Sequence, residues 1–168
     1  MDHSPLETMI DEIDTFKLQC KYFLTKYSYQ TIHYKYTDWI LSDPKIVIAF
    51  YCMDQEFDVE NSPSMAIYRR ISVNNELKYY VLFTCTKRKF RGQGYGTILL
   101  DNLQKRISKE KGEHPAKIIL SSLEEAVLFY EAYGFRWTRQ SIVEHPILMH
   151  YEHYEEKKEY FIMEFLVE

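Results

Sequence analysis

The chain of 168 residues contains no apolar run approaching the ~18 residues that a membrane-spanning helix requires. Glycine and proline are scarce, at five each, and there is no repeat, low-complexity tract or linker. Cysteine is scarcer still. Cys20, Cys52 and Cys85 lie far apart, with no Cys-x-x-Cys pair. An odd, sparse set fits reduced thiols in a cytosolic or nuclear compartment, and the expected location is cytoplasmic. The first residues, Met1-Asp2-His3-Ser4-Pro5, are acidic and polar, unlike a signal peptide. A net charge of −4 argues against broad nucleic-acid binding and is compatible with a cationic substrate. Neither nucleic acid nor membrane is an expected partner.

Hydrophobic residues at 46% and charged residues at 27% suit one soluble domain spanning 1–168 with a core of its own. Fifteen tyrosines stand out. They are consistent with an aromatic-walled pocket or with AT-rich coding bias.

Met9, Ile13, Phe16, Cys20, Phe23, Leu24 and Tyr27 recur at helical intervals, predicting a helix over 8–27. Thr31–Leu41 is compatible with a strand or a short helix, and Ser42-Asp43-Pro44 signals a turn. Strands are expected over 45–53, 65–73 and 77–86. An acidic loop (Asp54, Glu56, Asp58, Glu60) joins the first two, and Asn74-Asn75 turns between the last two. Leu99, Leu100, Leu103 and Ile107 mark a helix ending at Gly112. A buried-looking strand follows at 117–120. Ser122-x-x-Glu125 reads as a capping box for a helix ending at Gly134. Strands over 135–139 and 160–167 close the chain, separated by a loop, 145–158, rich in His, Tyr and Glu. The order describes a mixed α+β domain.

The informative stretch is Lys87-Arg88-Lys89-Phe90-Arg91-Gly92-Gln93-Gly94-Tyr95-Gly96-Thr97. A β-rich segment leads into it and a helix leaves it. Glycines permit positive φ and close approach to the backbone, and the N–H groups of a first helical turn attract anions. Together with four cations, these features suit a pyrophosphate. The P-loop pattern fails because no lysine follows the glycines. The dinucleotide fingerprint fails because Thr97 stands at the third glycine position.

Arg91-x-x-Gly94-x-Gly96 resembles the acyl-CoA signature of the GCN5-related N-acetyltransferase superfamily, Gln/Arg-x-x-Gly-x-Gly/Ala. Ala126-Val127-Leu128-Phe129-Tyr130-Glu131-Ala132-Tyr133-Gly134-Phe135 resembles its second signature, an alanine followed by Phe-Tyr-Glu-x-x-Gly-Phe. The resemblance covers roughly residues 76–136. It implies a mostly antiparallel central sheet with flanking helices and a splayed parallel strand pair, 77–86 and 116–121, that holds acetyl-CoA. By the same resemblance the main chains of Thr84 and Thr86 contact pantetheine. Arg91 belongs to the cofactor site, the N–H groups across Gly92, Gln93, Gly94, Tyr95, Gly96 and Thr97 hold the pyrophosphate, and Phe129 packs near the CoA. Lys87, Arg88 and Lys89 either reach the adenosine phosphates or are solvated surface cations.

The implied reaction is attack of a primary amine on the thioester carbonyl. The acceptor classes are a polyamine, an amino sugar, an amino acid, or a protein lysine or N-terminus, with a non-catalytic acyl-CoA-binding module as the alternative. Tyr130 stands where relatives place the general acid, and a phenol of pKa ~10 is protonated at neutral pH. A core tyrosine is the competing reading. Some relatives carry a glutamate at the position of Tyr80, so the base is either elsewhere or water. Glu76 is expected in the turn, and loop 54–60 can face the acceptor. Leu123 replaces an asparagine common in relatives, with Ser121 or Ser122 as substitutes. The stretch His145, His150, His153 with Glu144 and Glu152 suggests a metal, but no second cluster completes a site. No metal is expected, and the stretch is read as a loop lining the acceptor pocket. A monomer or homodimer is expected.

Overall fold

The computed structural model describes residues 5–8, 13–27, 34–51, 60, 62–152 and 155–168. Residues 9–12 of the first expected helix, the acidic residues 54–58, Cys52 and His153 lie outside these residues, and Thr8, where that helix is expected to begin, ends a strand. Seven strands share one sheet in the order β1-β2-β3-β4-β5-β7-β6. The chain divides into two compact units: Met1–Tyr68 with Phe83–Arg106, and Arg69–Leu82 with Ile107–Glu168.

In the first unit, β1 (Pro5–Thr8) pairs antiparallel with β2 (Ile46–Tyr51), from Pro5↔Tyr51 to Thr8↔Ile48. Helix α1 (Ile13–Tyr27) buries Cys20, Phe23 and Leu24 and leaves Leu18 and Tyr22 exposed, as helical periodicity requires. The ambiguous segment is a helix, α2 (Tyr34–Leu41), with Thr37, Ile40 and Leu41 buried. Its end is fixed locally. Ser42 Oγ donates to Trp39 O at 2.6 Å, and Lys45 N–H donates to Asp43 Oδ1 at 2.8 Å. The unit also holds the start of β3 (Ser64–Val73), the end of β4 (Glu76–Thr86) and most of α3 (Tyr95–Lys111).

In the second unit, Asn74 and Asn75 turn the β3–β4 hairpin with φ of 53° and 65°, the conformation a tight two-residue hairpin demands. Glu76 is not in that turn, as the sequence suggested, but opens β4. Strand β4 runs parallel to β5 (Ala116–Ser122), from Leu77↔Ala116 to Val81↔Leu120. On its other side β5 pairs antiparallel with β7 (Phe161–Val167), which in turn pairs with β6 (Arg136–Trp137). Strand β5 lies between two partners, so Ile118, Ile119 and Leu120 are all buried.

Three expectations need correction here. The expected capping box at Ser122 does not form, because Ser122 Oγ donates to Leu123 O at 2.7 Å. A 3-10 turn, Glu124–Ala126, leads instead into α4 (Val127–Tyr133). A true capping box closes between Ser141 and Glu144. The strand expected over 135–139 shrinks to two residues, since Arg139 adopts a positive φ of 59°. Inside the segment read as a loop, α5 (Pro146–Tyr151) forms with proline in its first turn, where the missing N–H costs nothing.

A charged row crosses four strands of this unit, β4, β5, β7 and β6. Lys117 Nζ lies 3.2 Å from Glu76 Oε1 and 3.6 Å from Glu164 Oε2, and Arg136 pairs with Glu164. The Glu164 side chain is 12% exposed and that of Arg136 74%. Burial works against the Glu164 carboxylate, but Arg136 and Lys117 hold its pKa below the ordinary value. Removing the cation nearer the interior should therefore matter more. We expect Lys117→Met to cost about 1–3 kcal/mol and Arg136→Ala under ~1 kcal/mol in urea unfolding. Equal costs would show that depth does not set the strength of this row.

Candidate active site

The glycine turn belongs to the first unit. A 3-10 turn, Arg88–Phe90, follows β4, and Arg91–Gly94 then swing the chain into α3. Gly92 and Gly94 have φ of +78° and +85°, while a Cβ at either would meet nothing within 4 Å. Conformation, not space, demands glycine here. The first helical bond is Ile98 N–H to Gly94 O at 3.0 Å. The N–H groups of Gly94, Gly96 and Thr97 therefore have no intrahelical acceptor and point along the positive end of the helix. The turn is braced from behind. Arg91 Nε donates to Thr86 O at 3.3 Å, Gln93 Nε2 to Lys89 O at 3.0 Å, and Phe90 packs edge-on against Tyr95. Thr84 is exposed and Thr86 half-buried just ahead of the turn.

One of the four cations is misread from sequence. Lys87 is only 1% exposed. Its ammonium donates to Glu60 O at 3.0 Å and lies 4.3 Å from the ring centre of Tyr27 and 5.4 Å from that of Phe23. It is neither a phosphate ligand nor a solvated cation, because aromatic faces and a carbonyl replace its water. Arg88 and Lys89 remain exposed. Glu60, the described end of the acidic loop, accepts from Tyr27 Oη at 2.9 Å and Tyr22 Oη at 3.1 Å and pairs with Lys26. These tyrosine hydrogen bonds, with Lys26, lower its pKa.

In the second unit, Tyr130 is half-buried on α4, edge-on to Phe129 at 5.2 Å and to Phe135 at 5.3 Å. Its carbonyl accepts from Gly134 and Phe135 N–H, closing the helix. Gly134 has φ +126°, and a Cβ there would lie 3.0 Å from the Phe165 ring. Phe129 (44%) and Leu128 (76%) on this helix are exposed, as is Leu123 (65%) ahead of it, so apolar side chains face solvent beside Tyr130.

A polar chain running from two buried side chains to the exposed Gln140, which sequence reasoning missed, lies in the same unit. Tyr80 Oη is 3.0 Å from His145 Nδ1, and His145 Nε2 is 2.8 Å from Gln140 Oε1. The amide oxygen can only accept, so Nε2 carries the hydrogen and Nδ1 accepts from Tyr80. Tyr80 is 4% and His145 7% exposed. Burial, then Lys78, and also Lys117, lower the His145 pKa against the opposing pull of Glu144 and Glu164. Burial and Glu76 raise that of Tyr80. In the sequence Tyr80 stands out only for not being a glutamate, and His145 only as part of a stretch read as a loop lining the acceptor pocket rather than a metal site. Among the described residues no group of three or more His, Cys, Asp or Glu could hold a metal ion. His150 is exposed, stacked edge-on with Tyr151.

A mixed sheet with a parallel pair, a glycine turn opening a long helix, and a Phe-Tyr helix ending at glycine match the acyl-CoA N-acyltransferase fold of the neighbours below. Residues 60–152 match the family model for the acetyltransferase (GNAT) domain, and the chain belongs to that family of N-acetyltransferases. Tetrahymena GCN5 has a similar fold: TM-score 0.67 at 12% identity, over 100% of this chain and 97% of that one. So has Arabidopsis thaliana Naa50, solved with the bisubstrate analogue CoA-Ac-MVNAL, with TM-score 0.60 at 18% identity over 96% and 98%. The ribosomal-protein-S18-alanine N-acetyltransferase of Escherichia coli gives TM-score 0.59 at 15% identity over 97% and 94%. No curated protein matches the chain.

Alanine at Gly94 would have to hold a φ that costs an L-residue about 1–2 kcal/mol. The turn should relax away from its present shape and regain it on binding. Gly94→Ala is therefore expected to weaken CoA binding ~5–30-fold in titration calorimetry. Unchanged affinity would mean that this turn does not hold the donor.

Proposed function

We propose that the chain transfers the acetyl group of acetyl-CoA to a primary amine by direct attack on the thioester. The observation that carries this reading is the glycine turn, with positive φ at Gly92 and Gly94 and helix-opening N–H groups lacking intrahelical acceptors. Those N–H groups hold the pyrophosphate without the desolvation cost of a buried lysine. The main chains of Thr84 and Thr86 meet pantetheine, and Arg91 keeps the turn in register through Thr86 O. Phe129, which is 44% exposed, covers part of the CoA. Tyr130 gives its proton to the departing thiolate. Preorganised backbone N–H groups steady the tetrahedral oxyanion.

The acceptor is a small amine, such as a polyamine, amino sugar or amino acid, or a lysine or N-terminus of a protein. Naa50 was solved with a CoA–peptide analogue, and the Escherichia coli protein is named for a ribosomal-protein alanine. Peptide N-termini therefore belong in the test beside the small amines. The enzyme is expected to work in the cytoplasm as one domain, a monomer or a homodimer, with no metal and no nucleic acid. The alternative is a non-catalytic acyl-CoA-binding module. Exposed Leu123, where relatives carry asparagine, speaks for it.

The test is CoA release from acetyl-CoA across polyamines, amino sugars, amino acids, lysine peptides and peptide N-termini. With the best acceptor, Tyr130→Phe should lower kcat ~10²-fold, the scale of a lost general acid. Full activity in the variant would remove Tyr130 from that role. Acetyl-CoA binding without turnover of any amine would favour the module.

A further inference from the structure

Resting on the reading of the glycine turn as the acetyl-CoA site, we propose that Lys87 is a positioning residue for the donor's diphosphate. Its buried ammonium anchors the root of the turn to helix α1 and residue 60, so that the seating of α1 and the affinity for the donor are coupled.

Lys87, α1, Glu60 and the whole of the turn lie in the same compact unit. The backbone and the side chain of Lys87 are each committed. Its N–H donates to Pro63 O at 2.8 Å, its carbonyl accepts from Phe90 N–H at 2.9 Å, and its ammonium donates to Glu60 O at 3.0 Å. The rings of Tyr27 and Phe23 lie 4.3 Å and 5.4 Å from that ammonium. They share one face of α1, with ring centres 5.1 Å apart and edge-on. Tyr27 is itself fixed, its Oη donating to Glu60 Oε2 at 2.9 Å and its carbonyl accepting from Cys85 Sγ at 3.7 Å.

Lysine is a costly choice for this place. A methionine would fill similar space without taking a charge out of water. What the ammonium adds is direction, because a carbonyl and two ring faces fix it where a thioether could slide. With the residue 1% exposed, that charge serves the interior and not a ligand.

The turn needs such an anchor. Gly92 and Gly94, with φ of +78° and +85°, are of the residue type with most backbone freedom to lose on ordering. At its far end the turn is held by α3, through Ile98 N–H to Gly94 O. At its near end the 3-10 turn Arg88–Phe90 starts on Lys87, and Arg91 N–H to Arg88 O at 3.1 Å carries the bonding on to the first residue of the acyl-CoA signature. A displaced anchor is therefore passed along this short path to the N–H groups that face the diphosphate. Preorganisation of this kind lowers the ordering cost of binding. By linkage the coupling runs both ways, and a diphosphate seated on the turn should tighten the end of α1.

The test compares the full wild-type chain with Lys87→Met. Titration calorimetry should show CoA binding ~10-fold weaker in the variant. With the best acceptor from the amine panel, the KM for acetyl-CoA should rise by a similar factor while kcat stays within about twofold. Acetyl-pantetheine carries the thioester but no diphosphate, so its kcat/KM should also stay within about twofold. Equal losses with both donors would mark a merely structural role and overturn the proposal. Unchanged CoA affinity in the variant would overturn it too and leave the donor site standing. The affinities of the two proteins should fall in parallel with rising salt, and a shallower fall in the variant would make the ammonium a phosphate ligand instead. One measurement needs no variant to fold. Adding CoA to the wild type should slow amide hydrogen exchange at the end of α1, over residues 23–27, and no slowing there would overturn the coupling. A wild type that binds no CoA would overturn the donor reading and this assignment together.

Discussion

The period-two alternation of β4 is the constraint on which the site depends. Along one extended strand successive side chains leave on opposite faces. Tyr79 therefore sends its hydroxyl to Glu110, which also pairs with Arg70, while Tyr80 sends its own to His145. In the other compact unit the end of the same strand places Cys85 Sγ 3.7 Å from Tyr27 O, with the Lys87 ammonium over the Tyr27 ring just beyond. A slip of one residue would exchange the faces of all of these at once. The Asn74–Asn75 turn, with both φ positive, prevents that slip at one end, and the parallel register on β5 prevents it along the strand.

The buried polar groups follow a common logic. An ammonium or imidazole removed from water is costly unless its hydrogen bonds are replaced. Lys87 obtains a carbonyl and two aromatic faces, and His145 obtains a hydroxyl on one nitrogen and an amide oxygen on the other. By contrast Cys85, with a raised pKa of about 11, is kept as an inert thiol, mainly by burial. Burial alone therefore does not mark function. Burial with a complete and directional set of partners distinguishes the imidazole from the thiol.

The parts of this architecture legible in the sequence are those set by local rules. The asparagine turn, the glycine turn into α3, the apolar run of β5 and the stop at Gly134 each depend on neighbouring residues alone. Ser-x-x-Glu occurs both at 122–125 and at 141–144. Only the second forms a capping box, because Ser122 is still in a strand and spends its hydroxyl on Leu123 O. Strand β1 escaped notice because four residues beginning with proline carry little periodicity. The Tyr80–His145 contact spans 65 positions, beyond the reach of any window, and the surroundings of Lys87 are assembled from α1 and residue 60. Lysine in a basic run looks like a surface cation until the fold supplies the aromatic rings.

The withdrawal of Lys87 into the interior changes how the turn attracts an anion. Arg88 and Lys89 are left as exposed charges at the surface, where physiological salt screens them over ~8 Å. The N–H dipoles of Gly94, Gly96 and Thr97 are fixed in the backbone and act at contact distance, where little electrolyte intervenes. A diphosphate seated there, as proposed above, would be held by geometry as well as by charge. Its grip should accordingly depend on ionic strength less steeply than the rate at which it is first drawn in.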